Sequence, residues 1–333
     1  MHPKFEDIFG KTHDLSISSE YEPKSVLITG AKGMLGNGLA QTFRFLQDIG
    51  KLPNTKLFLL SRDWRPKEQE LWHENKNCIL IPNSSMSTIN FPIEIVIHTA
   101  SPSNITQISS YDDLYEANIG LLKGIQELKP SRIVYISTGE VYKGESLPEG
   151  SHSKNLSKTF KRDWYPIVKL DAEFELRHNS LENNFSTNIV RLFHTFGPGV
   201  KRNDGRSFAD ILWSASLFKE IILKSNGNQI RSFLYLSDAI EAIIKMALTN
   251  EPGCKIVNVG SDRPISILEF SKMVSTVTGS SISFDLQKDF PHSSNEFLVP
   301  VIGDINNYNW SPKVDILDGI MSTVNWIKSL PHY

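Results

Sequence analysis

The sequence predicts an α/β fold of the Rossmann type, a doubly wound parallel sheet with a smaller C-terminal lobe. Three observations predict it. From Ser25 onward, short and nearly continuous apolar runs alternate with stretches of helical periodicity. A glycine-rich turn, Gly30-Ala-Lys-Gly33-Met-Leu-Gly36, joins the first apolar run to the first helical stretch. Past residue 170 or so the alternation becomes irregular, as an appended lobe requires. Strands covered on both faces read as continuous apolar runs, and right-handed crossovers then place helices on both sides of the sheet.

Taken in order, residues 1–23 are a polar N-terminal extension ending at Pro23, in which Phe5, Ile8 and Phe9 suit a short amphipathic turn packed on the body. Ser25-Val-Leu-Ile-Thr29 is the first strand, and Leu35, Leu39, Phe43 and Leu46 place a helix over residues 34–48. Leu57–Leu60, Cys78–Ile81, Ile93–Ile97 and Arg132–Ile136 read as further buried strands, with a helix at Tyr111–Leu128 before the last. Ile189–Phe193 adds a strand, Gly197-Pro198-Gly199 breaks the chain, and helices are expected at Arg206–Glu220, Asp238–Leu248 and Ile267–Thr278. The expected division is a dinucleotide-binding domain over residues 24–190 and a substrate-binding lobe over most of 191–333, some elements of which return to the first domain.

Composition narrows the class. The 333 residues, 40% hydrophobic and 22% charged, describe an ordinary globular protein. A net charge of −2 gives no reason to expect nucleic acid or a membrane surface as partner. Cys78 and Cys254 sit far apart in apolar runs and are expected as buried free thiols. No cluster of residues has metal-ligand spacing, so no metal is expected. With no membrane-length apolar run and no signal-peptide pattern, a cytoplasmic location is the default expectation.

Two local patterns carry chemistry. In Gly30–Gly36 the glycines permit a tight turn and close backbone approach to a pyrophosphate, which the N-terminus of the following helix would hold. The second strand ends Ser61-Arg62-Asp63. Arg62, with Lys32 in the turn, suits the extra phosphate of NADP, whereas Asp63 keeps NAD open. The second pattern is Tyr165 and Lys169, four residues apart and therefore on one helix face. An ammonium beside a phenol favours the phenolate, which makes the tyrosine usable as an acid–base group.

These motifs resemble, in order, those of the extended short-chain dehydrogenase/reductase family, and within it the nucleotide-sugar epimerases, dehydratases and decarboxylases. Thr29–Gly36 is similar to the family's TGxxGxxG loop, so Gly30, Lys32, Gly33, Met34, Leu35 and Gly36 are expected to bind cofactor with Arg62. Val96-Ile-His98-Thr99-Ala100-Ser101 resembles its VIHLAA strand end, and Asn118 matches the Asn of its NVxG helix; Thr99, Ala100, Ser101 and Asn118 join the cofactor set. Tyr135-Ile-Ser-Thr138-Gly-Glu140-Val-Tyr142 resembles the S-[ST]-x-x-V-Y segment, and Tyr165 with Lys169 the YxxxK pair. Arg191-Leu-Phe-His194 and Gly197-Pro198 resemble RxxNxYGP, and Arg231 with Asp238 the R-x-F-x-Y-V-x-D segment. Val257-Asn-Val-Gly260 continues the resemblance, which runs from about Ser25 to Trp326. Lys143 stands where the family usually has Gly, His194 where Asn is common, and Pro82-Asn83 where many members have Asp.

The resemblance implies hydride transfer at carbon 4 of a nucleotide-diphosphate sugar, with one NAD or NADP per subunit. Tyr165 would be the acid–base, Lys169 would lower its pKa and hold the nicotinamide ribose, and Thr138 would orient the substrate oxygen. Glu140 would assist chemistry beside the new ketone, and Glu140, His194 and Arg231 would contact substrate, Arg231 at the phosphates; Arg206 and Lys201, in a loop rich in Gly, Lys, Arg and Asp, are expected from that composition to add to the site. Gly139 stands where the glucose-type dehydratases usually carry an acidic residue. A cycle that restores the cofactor (epimerase, dehydratase or decarboxylase) is expected first, and NADPH-dependent reduction of a 4-keto sugar second. A cofactor-binding sensor or scaffold without catalysis is the alternative of another class. A homodimer is implied through helices 111–128 and 164–180, with Val168, Leu170, Phe174 and Leu176 as candidate contacts.

Overall fold

The computed structural model describes residues 2–10, 17, 21–101, 108–249, 251–286 and 297–331. Residues 11–16 and 18–20 of the extension lie outside these. Its centre is a seven-stranded sheet in which every neighbouring pair is parallel. The strands are β1 (Ser25–Thr29), β2 (Lys56–Ser61), β3 (Cys78–Pro82), β4 (Ile95–His98), β5 (Arg132–Thr138), β6 (Ser186–Leu192) and a last strand, Cys254–Val259. Across the sheet the order is Cys254–Val259, β6, β5, β4, β1, β2, β3. The chain runs outward from β1 to β3 and then crosses back to β4 on the other side of β1. That reversal opens a crevice at the carboxyl ends of β1 and β4, where ligands of such sheets bind.

Both faces are covered, as the apolar strands require. On one face, α2 (Met34–Asp48) and α7 (Leu236–Leu248) build a core with Val26, Ile28, Leu57, Leu59, Ile95 and Ile97. On the other, α4 (Tyr111–Glu127) and α5 (Lys161–Asn183) pack over Leu27, Phe58, Val96, Ile133 and Tyr135. The alternate residues of each strand feed the two cores, which is the period-2 geometry of a strand.

A third core lies among α6 (Ser207–Phe218), α8 (Ile267–Thr278) and α9 (Ile316–Ser329), with Phe196, Phe233 and Phe270 at its centre. Short strand pairs attend it, among them His194–Phe196 with Phe233–Tyr235 and Glu220–Leu223 with Ser281–Phe284. α6 ends two residues before the expected Glu220. Lys219 turns left-handed at φ 54°, and Glu220 opens a strand instead. The sequence reading gave no element to residues 316–329. There Asp315 caps the helix by accepting from Leu317 N at 2.8 Å, and Ile316, Ile320, Val324 and Ile327 face the core.

The N-terminal segment packs on the body as expected. α1 (Phe5–Phe9) buries Ile8 and Phe9 and stacks Phe5 on Phe45 of α2. Pro3 O accepts from the buried Asn37 amide at 2.9 Å, and Asp7 O accepts from Ser322 of α9 at 3.0 Å. α3 (Pro66–Glu70) follows β2. Cys78 and Cys254 are free thiols but only partly buried, and burial still pushes both up, to about 12 and about 11. No helix among the described residues is long and apolar enough to cross a membrane.

Candidate active site

The crevice is built from the glycine turn outward. Gly30 has φ +68°, a conformation that L side chains rarely adopt, and a Cβ on it would stand 2.9 Å from the backbone of Ala100. A Cβ on Gly36 would stand 2.3 Å from Gly30 O. Close packing of α2 on β1 therefore excludes any side chain at either position. Gly33 is the N-cap of α2 and supplies no side-chain cap, so the first N–H groups of the helix, at Met34 and Leu35, remain available to an anion. A bare turn at a helix N-terminus, at the switch point of a parallel sheet, fits a dinucleotide pyrophosphate.

Thr99, Ala100 and Ser101 line the same crevice from the end of β4. Thr99 Oγ1 donates to Thr29 O at 2.6 Å, and Ala100 N donates to Thr29 Oγ1 at 3.2 Å. Ser101 donates to Asn118 Oδ1 at 3.0 Å, and the buried Asn118 donates to Leu114 O at 2.8 Å. Asn118 thus reaches the crevice through Ser101. His98 is a structural histidine: Nδ1 shares a 2.8 Å hydrogen bond with Thr29 Oγ1, and burial pushes it down to about 3.

At the end of β2 the expected pair of cations is divided. Lys32 Nζ lies 2.8 Å from Glu68 and 3.0 Å from Asp63, so two carboxylates neutralise it. Arg62 is exposed. Glu68, held also by Arg65 N and by His2, is pushed down to about 2 despite the opposing effect of burial. The sequence reading missed Glu68 because α3 is short and lacks apolar periodicity.

Tyr165 and Lys169 stand on α5 above β5, and their one-turn spacing brings Lys169 Nζ within 5.7 Å of the Tyr165 ring centre. Lys169 is 2% exposed and donates to Ile136 O at 2.9 Å. Burial pushes this ammonium down to about 7, and the charge of Glu173 opposes that. Tyr165 is raised by burial; the cation of Arg206 and a hydrogen bond with Ser101 favour its phenolate, whereas Glu140 and Asp204 disfavour it. The sequence pattern assigned that cationic help to Lys169. In the structure the larger part comes from Arg206, while Lys169, with its Nζ 5.7 Å from the ring centre, donates to a strand carbonyl.

Thr138 ends β5 and caps the following turn, its Oγ1 accepting from Glu140 N at 3.2 Å. Two residues on, Glu140 lies close enough to influence both Tyr165 and Arg231. Gly139 is required here, since a Cβ would meet the Phe193 ring at 2.7 Å. At the position usually held by Gly, Lys143 takes the left-handed conformation itself (φ 47°), and its Nζ pairs with Asp163 at 2.9 Å.

The lobe contributes cations from above. Arg231 is 8% exposed and donates to Ile230 O at 2.8 Å. Arg206 is clamped through two nitrogens by the buried Asp204, with Nη2 to Oδ2 at 2.8 Å, and its guanidinium lies 4.8 Å from the Phe208 ring centre. His194 sits edge-on to Phe208 and Phe233, and burial with both arginines pushes it down to about 3. Lys201 is exposed, and no contact places it with these groups. Arg206 and Glu140 thus act on Tyr165, Glu140 on Arg231, and both arginines on His194, which joins the five groups into one electrostatic cluster. Among the described residues no three His, Cys, Asp or Glu side chains are grouped to hold a metal.

The profile of the NAD dependent epimerase/dehydratase family matches residues 26–260. UDP-glucuronic acid decarboxylase 1 of Xenopus tropicalis is 26% identical over 94% of this chain and 75% of its own length. UDP-N-acetyl-alpha-D-glucosaminuronate decarboxylase of Bacillus cytotoxicus is 26% identical over 92% of this chain and 98% of its own. Among solved structures, UDP-glucuronic acid 4-epimerase from Bacillus cereus, in complex with UDP-glucuronic acid and NAD, aligns with a TM-score of 0.76 at 21% identity. That alignment covers 91% of this chain and 99% of the other. The matched residues span β1 to the last strand of the sheet and include both the glycine turn and the Tyr165–Lys169 pair, and the chain belongs to the NAD dependent epimerase/dehydratase family.

Proposed function

We propose that this protein is an NAD-dependent enzyme acting on a nucleotide-diphosphate sugar, oxidising carbon 4 and restoring the cofactor within one turnover. The observation that carries the reading is the electrostatic grouping of Tyr165 on α5 and Glu140, in the turn that Thr138 caps at the end of β5, with Arg206 and Arg231 from the lobe. Bound NAD would supply the hydride acceptor for carbon 4 and, reduced, the donor that restores it. Gly30, Gly33, Met34, Leu35 and Gly36 would hold its pyrophosphate, with Thr99, Ala100, Ser101 and Asn118 along its path. Thr138 Oγ1 orients the substrate hydroxyl and Tyr165 takes its proton at the phenolate oxygen. Arg231 meets the diphosphate, and Glu140 acts at the neighbouring carbon 5.

Decarboxylation is the version of the cycle the relatives favour. A uronic acid carries its carboxylate on carbon 5, so oxidation at carbon 4 creates a β-keto acid. The bond between carbons 5 and 6 then breaks to release carbon dioxide, its electron pair passes to the enolate, and carbon 5 is reprotonated. Arg206, rigidly held by Asp204, is suited to seat that carboxylate. A test incubates the purified protein with UDP-glucuronic acid and NAD and follows the product by mass spectrometry. Loss of carbon dioxide with no net NADH supports decarboxylation; an unchanged mass refutes it, and an unchanged carbon-4 configuration by NMR across uronate and neutral nucleotide sugars as well refutes the carbon-4 cycle.

NADPH-dependent reduction of a 4-keto sugar is the second reading, favoured by the exposed Arg62. Neutralisation of Lys32 by Glu68 and Asp63 weakens it. We also propose a homodimer formed through α4 and α5. Of the four candidate contacts, Val168, Leu170 and Leu176 are buried inside the chain, while Phe174 is 50% exposed on α5, together with Leu181. The cytoplasm, which supplies nucleotide sugars and NAD, is the proposed location.

A further inference from the structure

Beneath the Tyr165–Lys169 pair lies a buried group of charges that the reaction does not itself use. Glu173 follows Lys169 by one helical turn on α5 and is 2% exposed. Its Oε1 accepts from Ser137 Oγ at 2.5 Å and from Arg191 Nε at 3.1 Å, and its Oε2 accepts from Arg191 Nη2 at 2.7 Å. Arg191, 1% exposed, donates also to Ser151 O and lies 5.0 Å from the Tyr142 ring centre. β5, β6 and α5 therefore each give one member to a fork that fixes the carboxylate in place. A buried ion pair contributes little stability over well-packed apolar residues of the same volume, so stability alone does not account for a charge here.

We infer that Glu173, anchored by Arg191 and Ser137, is a positioning residue that keeps Lys169 charged beside Tyr165 and so sets the alkaline edge of the range in which the site works. Among the described residues, these groups face Lys169. From α5 they are Tyr165 and Glu173, from β5 the Tyr135 ring at 4.8 Å and Ile136 O, and from β4 His98, which burial holds neutral at ordinary pH. Among these, Glu173 is the anion that opposes the cost of burying the ammonium. With Glu173 gone, Lys169 would lose its proton at lower pH, and a neutral amine no longer favours a phenolate in the same pocket.

The inference rests on the reading of Lys169 as Tyr165's partner, but its test needs no substrate. The Nζ resonance of Lys169 is followed by 15N NMR against pH in the full chain with NAD, and assigned by its loss in Lys169→Met. Glu173→Gln should lower the titration midpoint by about one unit or more, a tenfold or greater loss of proton affinity. Should that variant fail to fold, Glu173→Gln with Arg191→Met removes both charges and should shift the midpoint in the same direction. Ser137→Ala, which removes one hydrogen bond and leaves the charge, should leave it in place. A midpoint that stays with the wild type in the folded Glu173→Gln or double variant overturns the inference. So does an equal fall in Ser137→Ala, which would reveal a structural effect. Turnover of a nucleotide sugar is measured separately, so the reaction assigned above stands or falls apart from this titration.

Discussion

Gly36→Ala tests the cofactor turn with a single carbon. The Cβ it adds would stand 2.3 Å from Gly30 O, 2.8 Å from Gly30 C and 3.0 Å from Ala31 Cα. Ordinary contact begins at 3.4 Å, so the worst approach is short by about 1.1 Å, and every atom it meets is backbone. No side chain can swing aside; α2 must tilt from β1 or Gly30 must rotate out of its left-handed conformation. Either movement misaligns the N–H groups of Met34 and Leu35. The loss of one charge-assisted hydrogen bond to phosphate costs about 1.5–3 kcal/mol, which is about tenfold to a hundredfold in NAD affinity. The overpacked helix–strand contact costs about 1–3 kcal/mol of folding stability besides. Isothermal titration with NAD and urea unfolding measure the two terms. Gly38→Ala, on the same helix, is the control: its nearest contact is the flexible tip of Ile240 at 2.5 Å, so NAD affinity should hold while stability falls slightly. Equal NAD affinity in Gly36→Ala and the wild type would refute the assignment of this turn to the pyrophosphate.

Four further outcomes are expected. Tyr165→Phe should lower turnover by about a hundredfold or more while NAD affinity stays within about twofold, measured by steady-state kinetics and titration. Arg191→Met should destabilise the fold by about 3–5 kcal/mol in urea, because it strands the Glu173 carboxylate; adding Glu173→Gln should restore most of that. His98 is held near 3, below its unfolded value of 6.5, so its stabilising neutral state is fully present above pH 6.5 and is lost as pH falls. That costs about 1.4 kcal/mol per pH unit below 6.5, or about 2 kcal/mol by pH 5, and a His98→Gln variant should show a shallower acid slope in urea unfolding. Gly120→Ala, on α4 with no contact nearer than 3.9 Å, should stabilise the protein by about 1 kcal/mol and leave turnover unchanged.

Much of the sheet was legible because its strands are buried on both faces and leave continuous apolar runs. β1 to β6 fall within a few residues of where those runs place them, and the glycine turn marks the start of α2. The lobe was harder to read. Its strands are two to four residues long, too short for a period to register, and α9 lies in a stretch that carries no motif. At the site, Tyr165, Lys169, Thr138, Glu140 and Arg231 could be named from motif order, and Arg206 from the charged loop it lies in. Their partners could not. Asp204 and Glu68 act through side chains that fold back on neighbouring loops, and Glu173 meets Arg191 only because β6 lies beside β5. The one signal present was the four-residue step from Lys169 to Glu173, which repeats the step from Tyr165 to Lys169.

The seat of α1 bears on the order in which the molecule assembles. Asp7 takes a hydrogen bond from Ser322, 315 positions later, and α1 also touches α2 and α7. On a ribosome, this helix waits without its partner on α9 until 315 further positions have been made. Contacts so distant in sequence form slowly. The sheet can take shape during synthesis, but the brace behind the start of α2 closes only after α9 has been made. Pulse-labelling hydrogen exchange on refolding protein should therefore find the amides of α1 and α9 protected together, after those of β1 and β4.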